Sequence, residues 1–335
     1  MNNDILNWWL NYKPMSEEEL KTFLEHRPSD KEIVSATDFQ NIKKQYINRL
    51  PNSCLTTDWD FKVFDCATDF IKYLFATYID EDTLVITTQN EHNNVREEIT
   101  KCKNVLFLDS SSDNSIILKP AIVKDKCQCF KKVFVYIIGT HITTGIPTPQ
   151  YIFETLKSIL ADKQTTFVLD AVQEMFLYPR NYSMFDYVIG TAHALIKQFD
   201  MGMCWSKHQI GFGSYIGNWA QQYLKNLDIL LCREDKLFMF KTVIQDVLYD
   251  FLGKVVDTSI VEKSAPYFFS ARINSFPASI ELYDMLKPLY VRLEGVGTDN
   301  LFLRLRGQQF ITHPDYLKKG LELLYDYMEM VMENE

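Results

Sequence analysis

No apolar run in this chain of 335 residues reaches the roughly 18 to 20 residues that a membrane-spanning helix needs. No run of lysine and arginine stands out either. With a formal net charge of −9, the sequence argues against a nucleic-acid or anionic-membrane surface, because both require concentrated positive charge. The seven cysteines, at positions 54, 66, 102, 127, 129, 204 and 232, are odd in number and scattered, which gives no disulfide framework. Cys127-Gln128-Cys129 lacks the second ligand pair that a metal site needs. A charged segment followed by an apolar one is missing at the start, so the expectation is a cytoplasmic, reduced protein. Internal repeats and low-complexity tracts are absent as well.

What remains is a globular composition. At 47% hydrophobic, the chain can bury a large core and has the length for one large domain and one smaller one. Residues 1–50 read as an N-terminal arm carrying Trp8 and Trp9. A helix is expected there from Ser16, whose hydroxyl precedes Glu17-Glu18-Glu19 as an N-cap precedes an acidic first turn. Residues 51–230 read as the large domain. Strand Phe61–Phe64, helix Thr68–Tyr78, strand Thr83–Thr88, helix Asn93–Lys101 and strands Val105–Leu108 and Val133–Ile138 lead to helix Pro149–Leu160 and strand Thr165–Leu169. This alternation predicts an α/β fold with a mainly parallel sheet covered by helices on both faces. After a glycine-bearing loop at Gly211–Gly217, a helical stretch from Glu234 to Leu252 opens residues 231–335. Strands Tyr267–Ile273, Leu289–Leu293 and Leu301–Leu305 and a closing helix from Pro314 to Met332 make that region a small α+β domain.

Candidate site residues sit at the strand tips, where open α/β sheets bind ligands. Thr165–Leu169 ends on Asp170, followed by Ala171-Val172-Gln173. A second short strand, Tyr187–Ile189, delivers Gly190-Thr191-Ala192-His193-Ala194. Cys66-Ala67-Thr68-Asp69 opens a helix whose free N–H groups and dipole favour a phosphate. Glu91-His92-Asn93 begins another helix, and Leu303-Arg304-Leu305-Arg306 ends a late strand.

Together these residues resemble the fold-type I pyridoxal-phosphate (PLP) enzymes, in the class V aminotransferase and cysteine-desulfurase group. Asp170-Ala171-Val172-Gln173 is similar to the family's Asp-x-x-Gln, and Thr191-Ala192-His193 to its Ser-x-His. The resemblance implies pyridoxal 5′-phosphate as cofactor. Asp170 would face the pyridine nitrogen, Gln173 the phenolic oxygen, and His92 would stack on the ring. Ala67, Thr68, Thr191 and His193 would hold the phosphate, and Arg304 would clamp the carboxylate of a small amino-acid substrate bidentately. It also implies a homodimer, with residues near Ser214–Trp219 completing a neighbour's pocket. Arg306, where the family has a small residue, is expected outside the pocket.

The chain departs from the family at several positions. The lysine that follows Ser-x-His is Ala194 here, which removes both the covalent tether and the usual general base. Cys66 stands in place of a glycine. In Thr140-His141-Ile142-Thr143-Thr144-Gly145, which resembles the family's Asn-Glu-Thr-Gly, the asparagine position is Ile142. Lys197 lies three residues, roughly 10 Å of extended chain, beyond Ala194, so its long side chain could in principle relocate the tether, but a solvated loop lysine is the favoured reading. No cysteine follows Cys232, which disfavours a desulfurase, since that chemistry needs a late, mobile thiolate. Two readings stay open: an aminotransferase or lyase whose Ala194 form is trapped or inactive, and a lysine-free relative that binds a small ligand or serves as a structural partner.

Overall fold

The computed structural model describes residues 32–196, 201–211, 213, 216–274, 280–294 and 301–333. The helix expected from Ser16, the tryptophans Trp8 and Trp9, Ser214 and Lys197 lie outside them. Two compact units divide the described chain: residues 32–142 with Pro147–Leu227, and Thr143–Ile146 with the described residues from Asp228 onward.

In the larger unit, helix α1 (Ala36–Ile47) starts at Ser35, whose hydroxyl oxygen accepts from the Asp38 N–H. Strand β1 (Asp60–Phe64) leads into helix α2 (Ala67–Tyr78). Then follow β2 (Thr83–Thr88), α3 (Asn93–Ile99), β3 (Asn104–Ser110), the short β4 (Ile116–Ile117) and α4 (Pro120–Cys127). The unit continues through β5 (Lys132–Ile138), α5 (Gln150–Ile159), β6 (Gln164–Asp170), β7 (Tyr187–Thr191), β8 (Gly202–Ser206) and α6 (Gly217–Leu231). The eight strands form one sheet in the order β1-β8-β7-β6-β5-β2-β3-β4. Strands β7, β6, β5, β2 and β3 pair in parallel, while β8 and β4 pair antiparallel at its flanks.

Every residue of β2 is buried, as expected of a parallel strand covered on both faces. On one face Phe70, Ile71, Leu74 and Phe75 of α2 recur at helical spacing and pack on Val85, Phe134, Tyr136, Val168 and Tyr187. The other face carries Trp205, stacked on Phe61 at 4.1 Å between ring centroids. Tyr46 of α1 packs there against Phe61 and donates its hydroxyl to the Ala220 carbonyl of α6 at 3.0 Å. The expected α/β architecture is therefore present.

Sequence reasoning missed β8, whose five buried residues look like the tail of a loop until both neighbouring strands are known. It also missed α6, because the glycines before it suggested a loop.

In the smaller unit, α7 (Glu234–Val247) ends five residues earlier than expected and gives way to a 3-10 turn at Tyr249–Phe251. The elements after it are β9 (Val256–Asp257), α8 (Ser259–Lys263), β10 (Phe268–Ile273), α9 (Ile280–Leu286), β11 (Arg292–Glu294), β12 (Leu301–Arg306), α10 (Gly307–Thr312) and α11 (Pro314–Glu333). The strand expected at Leu289–Leu293 starts later, because Lys287–Leu289 forms a 3-10 turn and Tyr290 adopts φ 63°. The sheet order is β11-β12-β10-β9, antiparallel throughout. Alternation along β12 splits its faces: Leu301, Leu303 and Leu305 are buried on one, while Phe302, Arg304 and Arg306 share the other. The segment Thr143–Ile146 runs along that second face, where Thr143 accepts from the Ser270 hydroxyl at 2.9 Å. Gly145 has φ +67°, and a Cβ there would lie 2.5 Å from Phe268, so both backbone and space require glycine. No helix among the described residues is long and apolar enough to cross a membrane.

Candidate cofactor site

Asp170 ends β6, held between Ile138 of β5 and Ile189 of β7. It is only 3% exposed, and its carboxylate is partly satisfied. Tyr136, two residues back along β5 and on the same face, donates its hydroxyl to Oδ2 at 2.9 Å, and the Val172 N–H donates to Oδ1 at 3.0 Å. Each carboxylate oxygen keeps a second lone pair. Burial raises the Asp170 pKa above the ordinary aspartate value, against the lowering effect of those two hydrogen bonds and of His92.

Beside it stands an acid that sequence reasoning passed over. Glu91, between β2 and α3, accepts at Oε1 from the Thr88 hydroxyl at 2.7 Å and from the Ile138 N–H at 3.2 Å. Its other oxygen, Oε2, is buried and has no hydrogen-bond partner. Burial first, and the charge of Asp170 second, push the Glu91 carboxyl up to about 8, so it is protonated at neutral pH. A hint was present in sequence, since Glu91 directly precedes His92. Tyr136 gave none, because only the β5–β6 register brings it to Asp170.

His92 is exposed and caps α3, its Nδ1 accepting from the Asn94 N–H at 3.3 Å. Asn94 in turn donates its side-chain amide to the Thr68 hydroxyl oxygen at 2.7 Å, which ties the starts of α2 and α3 together. With a lone pair so engaged, Thr68 keeps its O–H for another acceptor. Cys66 occupies the N-cap of α2 without a side-chain cap bond, so the first-turn N–H groups from Ala67 onward gain nothing from it. Gly202 makes the close approach possible: a Cβ there would sit 2.5 Å from the Ala67 nitrogen and 2.6 Å from the Cys66 carbonyl carbon.

The remaining expected residues fall as follows. Gln173 is buried in the turn after β6. Thr191, at the end of β7, donates its hydroxyl to the Met201 carbonyl at 3.0 Å, so its one hydrogen is committed. His193 is exposed and Ala194 buried in the turn that follows. Arg304 belongs to the smaller unit, where it pairs with Glu294 at 3.0 Å. Arg306 shares its face of β12.

Behind the site, Arg180 grips Glu174 through Nε at 2.5 Å and Nη2 at 3.0 Å, and also donates to the carbonyls of Gly139 and Thr148. Thr140 donates its hydroxyl to Glu174 at 2.9 Å, while the Gly139 N–H donates to the Asp170 carbonyl at 2.8 Å. This network braces the strand end that carries Asp170.

Solved structures share this arrangement of elements across nearly the whole chain. A NifS-like protein from Rickettsia africae is similar at 13% identity with a TM-score of 0.66, over 99% of this chain and 96% of that one. A cysteine desulfurase from Thermococcus onnurineus matches at 13% identity and a TM-score of 0.61, over 95% and 91%. The histidinol-phosphate aminotransferase from Clostridium acetobutylicum matches at 14% and 0.63, over 93% and 95%. The fold is that of the fold-type I PLP enzymes. At these identities the likeness establishes the fold-type I architecture alone. No protein-family model matches the sequence, and no curated protein matches it significantly.

Proposed function

We propose that this chain binds pyridoxal 5′-phosphate at the C-terminal end of β6 and acts on, or holds, a small amino acid, with turnover suppressed by Ala194. The observation that carries this reading is the pairing of Asp170, half-satisfied at a buried strand end, with the partnerless Glu91 Oε2. A buried carboxylate with open lone pairs gains from a cationic N–H, and a pyridinium supplies one. The residues present therefore fit the coenzyme. Asp170 would take the ring nitrogen, and His92 the ring face. Thr68 and the α2 N-terminus would take the phosphate, with Asn94 orienting the Thr68 hydroxyl.

Bound there, PLP supplies an electron sink for breaking a bond at the substrate α-carbon. The chain's own residues do the rest. Tyr136 and the Val172 N–H fix the Asp170 carboxylate, and burial keeps competing water from it. No amine stands at position 194 to move the α-proton, so the chemistry is expected to be slow by orders of magnitude. The same reading makes the protein a homodimer, which light scattering tests.

A second reading, a relative that binds without catalysis, is favoured by the commitment of the Thr191 hydroxyl to Met201 and by Ile142. Calorimetric titration with PLP tests the shared claim. Binding that weakens roughly 10- to 100-fold in Asp170→Asn supports it, since a charged hydrogen bond is lost. Binding indifferent to that change removes it.

A further inference from the structure

Two buried acids converge on one residue of the larger sheet. Glu91 Oε1 accepts from the Ile138 N–H at 3.2 Å, and Ile138 is the β5 residue paired with Asp170 of β6. Tyr136, two residues back along β5, donates to Asp170 Oδ2. Glu91 is 4% exposed and Asp170 3%, so solvent stabilises a charge on neither.

Their hydrogen bonds divide the roles. Asp170 has a donor on each oxygen, the Tyr136 hydroxyl and the Val172 N–H, and is equipped to carry a charge. Glu91 has both of its donors, the Thr88 hydroxyl and the Ile138 N–H, on Oε1 and none on Oε2. An ionised carboxylate spreads its charge over both oxygens, so a buried Oε2 without a donor favours the neutral acid, with the proton on Oε2. Burial and the Asp170 charge act in the same direction on Glu91. Of the other titratable groups at this point, Tyr136 keeps its own proton through burial, and His92, at the start of α3, opposes the rise at Asp170. One anion and one acid result, with a net charge of −1.

We propose that Glu91 is a positioning residue whose Oε2 proton is linked to coenzyme binding: it keeps Asp170 the single anion for the ring nitrogen, and a cationic ring on Asp170 releases that proton to solvent. The cationic ring is that of the coenzyme reading, on which this rests. The Glu91 O–H bond breaks, the proton passes to the buffer, and the ring cation takes its place, so the charge stays at −1. Release is partial, because burial still favours the acid after Asp170 is neutralised.

The probe is 4′-deoxypyridoxine 5′-phosphate, a coenzyme analogue with no aldehyde to condense with lysines. It is titrated into the full chain by calorimetry at pH 8, where Glu91 is half protonated, in buffers of different ionisation enthalpy. The ring nitrogen's own titration is common to the unsubstituted chain and Glu91→Gln, so the difference in protons released isolates residue 91. The unsubstituted chain should release more, by up to about half a proton. Infrared difference spectra should show a protonated-carboxyl band lost on binding in the unsubstituted chain and not in Glu91→Gln. Equal proton counts overturn the proposal, as does a band that persists. If Glu91→Gln does not fold, the band of the unsubstituted chain decides alone. Failure of the analogue to bind counts against the coenzyme reading and takes this linkage with it, whereas binding with equal proton counts removes the linkage only.

Discussion

Two buried acid clusters lie close together in the larger unit and are treated in opposite ways. Glu174 is fully answered: Arg180 binds both of its oxygens, and Thr140 adds a third hydrogen bond. Glu91 is answered on one oxygen and left alone on the other, next to a second carboxylate. Folding alone would favour satisfying both, since a buried polar atom without a partner costs about 1–3 kcal/mol. The first cluster is a brace. The second has the incompleteness of a site that gains stability from a ligand.

The contrast can be broken most severely at the brace. Arg180→Met leaves Glu174 buried without its cation and should cost about 3–5 kcal/mol in chemical denaturation. A cost near zero would mean the pair is not a brace. The acid at position 91 should behave differently. Its folded pKa, about 8, lies above the ordinary 4.5, so the folded state holds the proton longer. Stability is therefore fully present below about 4.5 and declines up to about 8, by at most about 1.4 kcal/mol per pH unit. Glu91→Gln, which cannot ionise, should flatten this slope in urea melts taken across the window, and saturating PLP should reduce it. An unchanged slope would remove Glu91 from the account. A smaller effect is expected where α2 meets α3. Asn94→Ala frees the Thr68 hydroxyl and should weaken PLP binding several-fold, about 1 kcal/mol, with little change in melting temperature.

Much of this was legible in the sequence, for identifiable reasons. The places of Asp170, Thr68 and His92 were readable because each closes or opens a strongly periodic element, whereas their roles came only from the family resemblance. Tyr136, Asn94 and Glu91 were not readable. Tyr136 reaches Asp170 only through the β5–β6 register, Asn94 reaches Thr68 only because α2 and α3 start side by side, and Glu91 was overshadowed by the histidine after it. Strand β8 escaped for the same reason as Tyr136, since pairing on both sides defines it. The pairing on β12 was half-seen: Arg304 stood out, but its cross-strand partner Arg292 lies 12 positions earlier and is brought opposite by β11, a strand expected three residues too soon.

The most direct test restores the missing amine. Ala194→Lys, incubated with PLP and reduced with borohydride, should carry a covalent label at residue 194 with a shifted near-ultraviolet and visible spectrum. The unsubstituted chain should show such a shift only when an amino acid is added. Labelling scattered over surface lysines, with no spectral change in either form, would contradict the claim that the end of β6 is a coenzyme site.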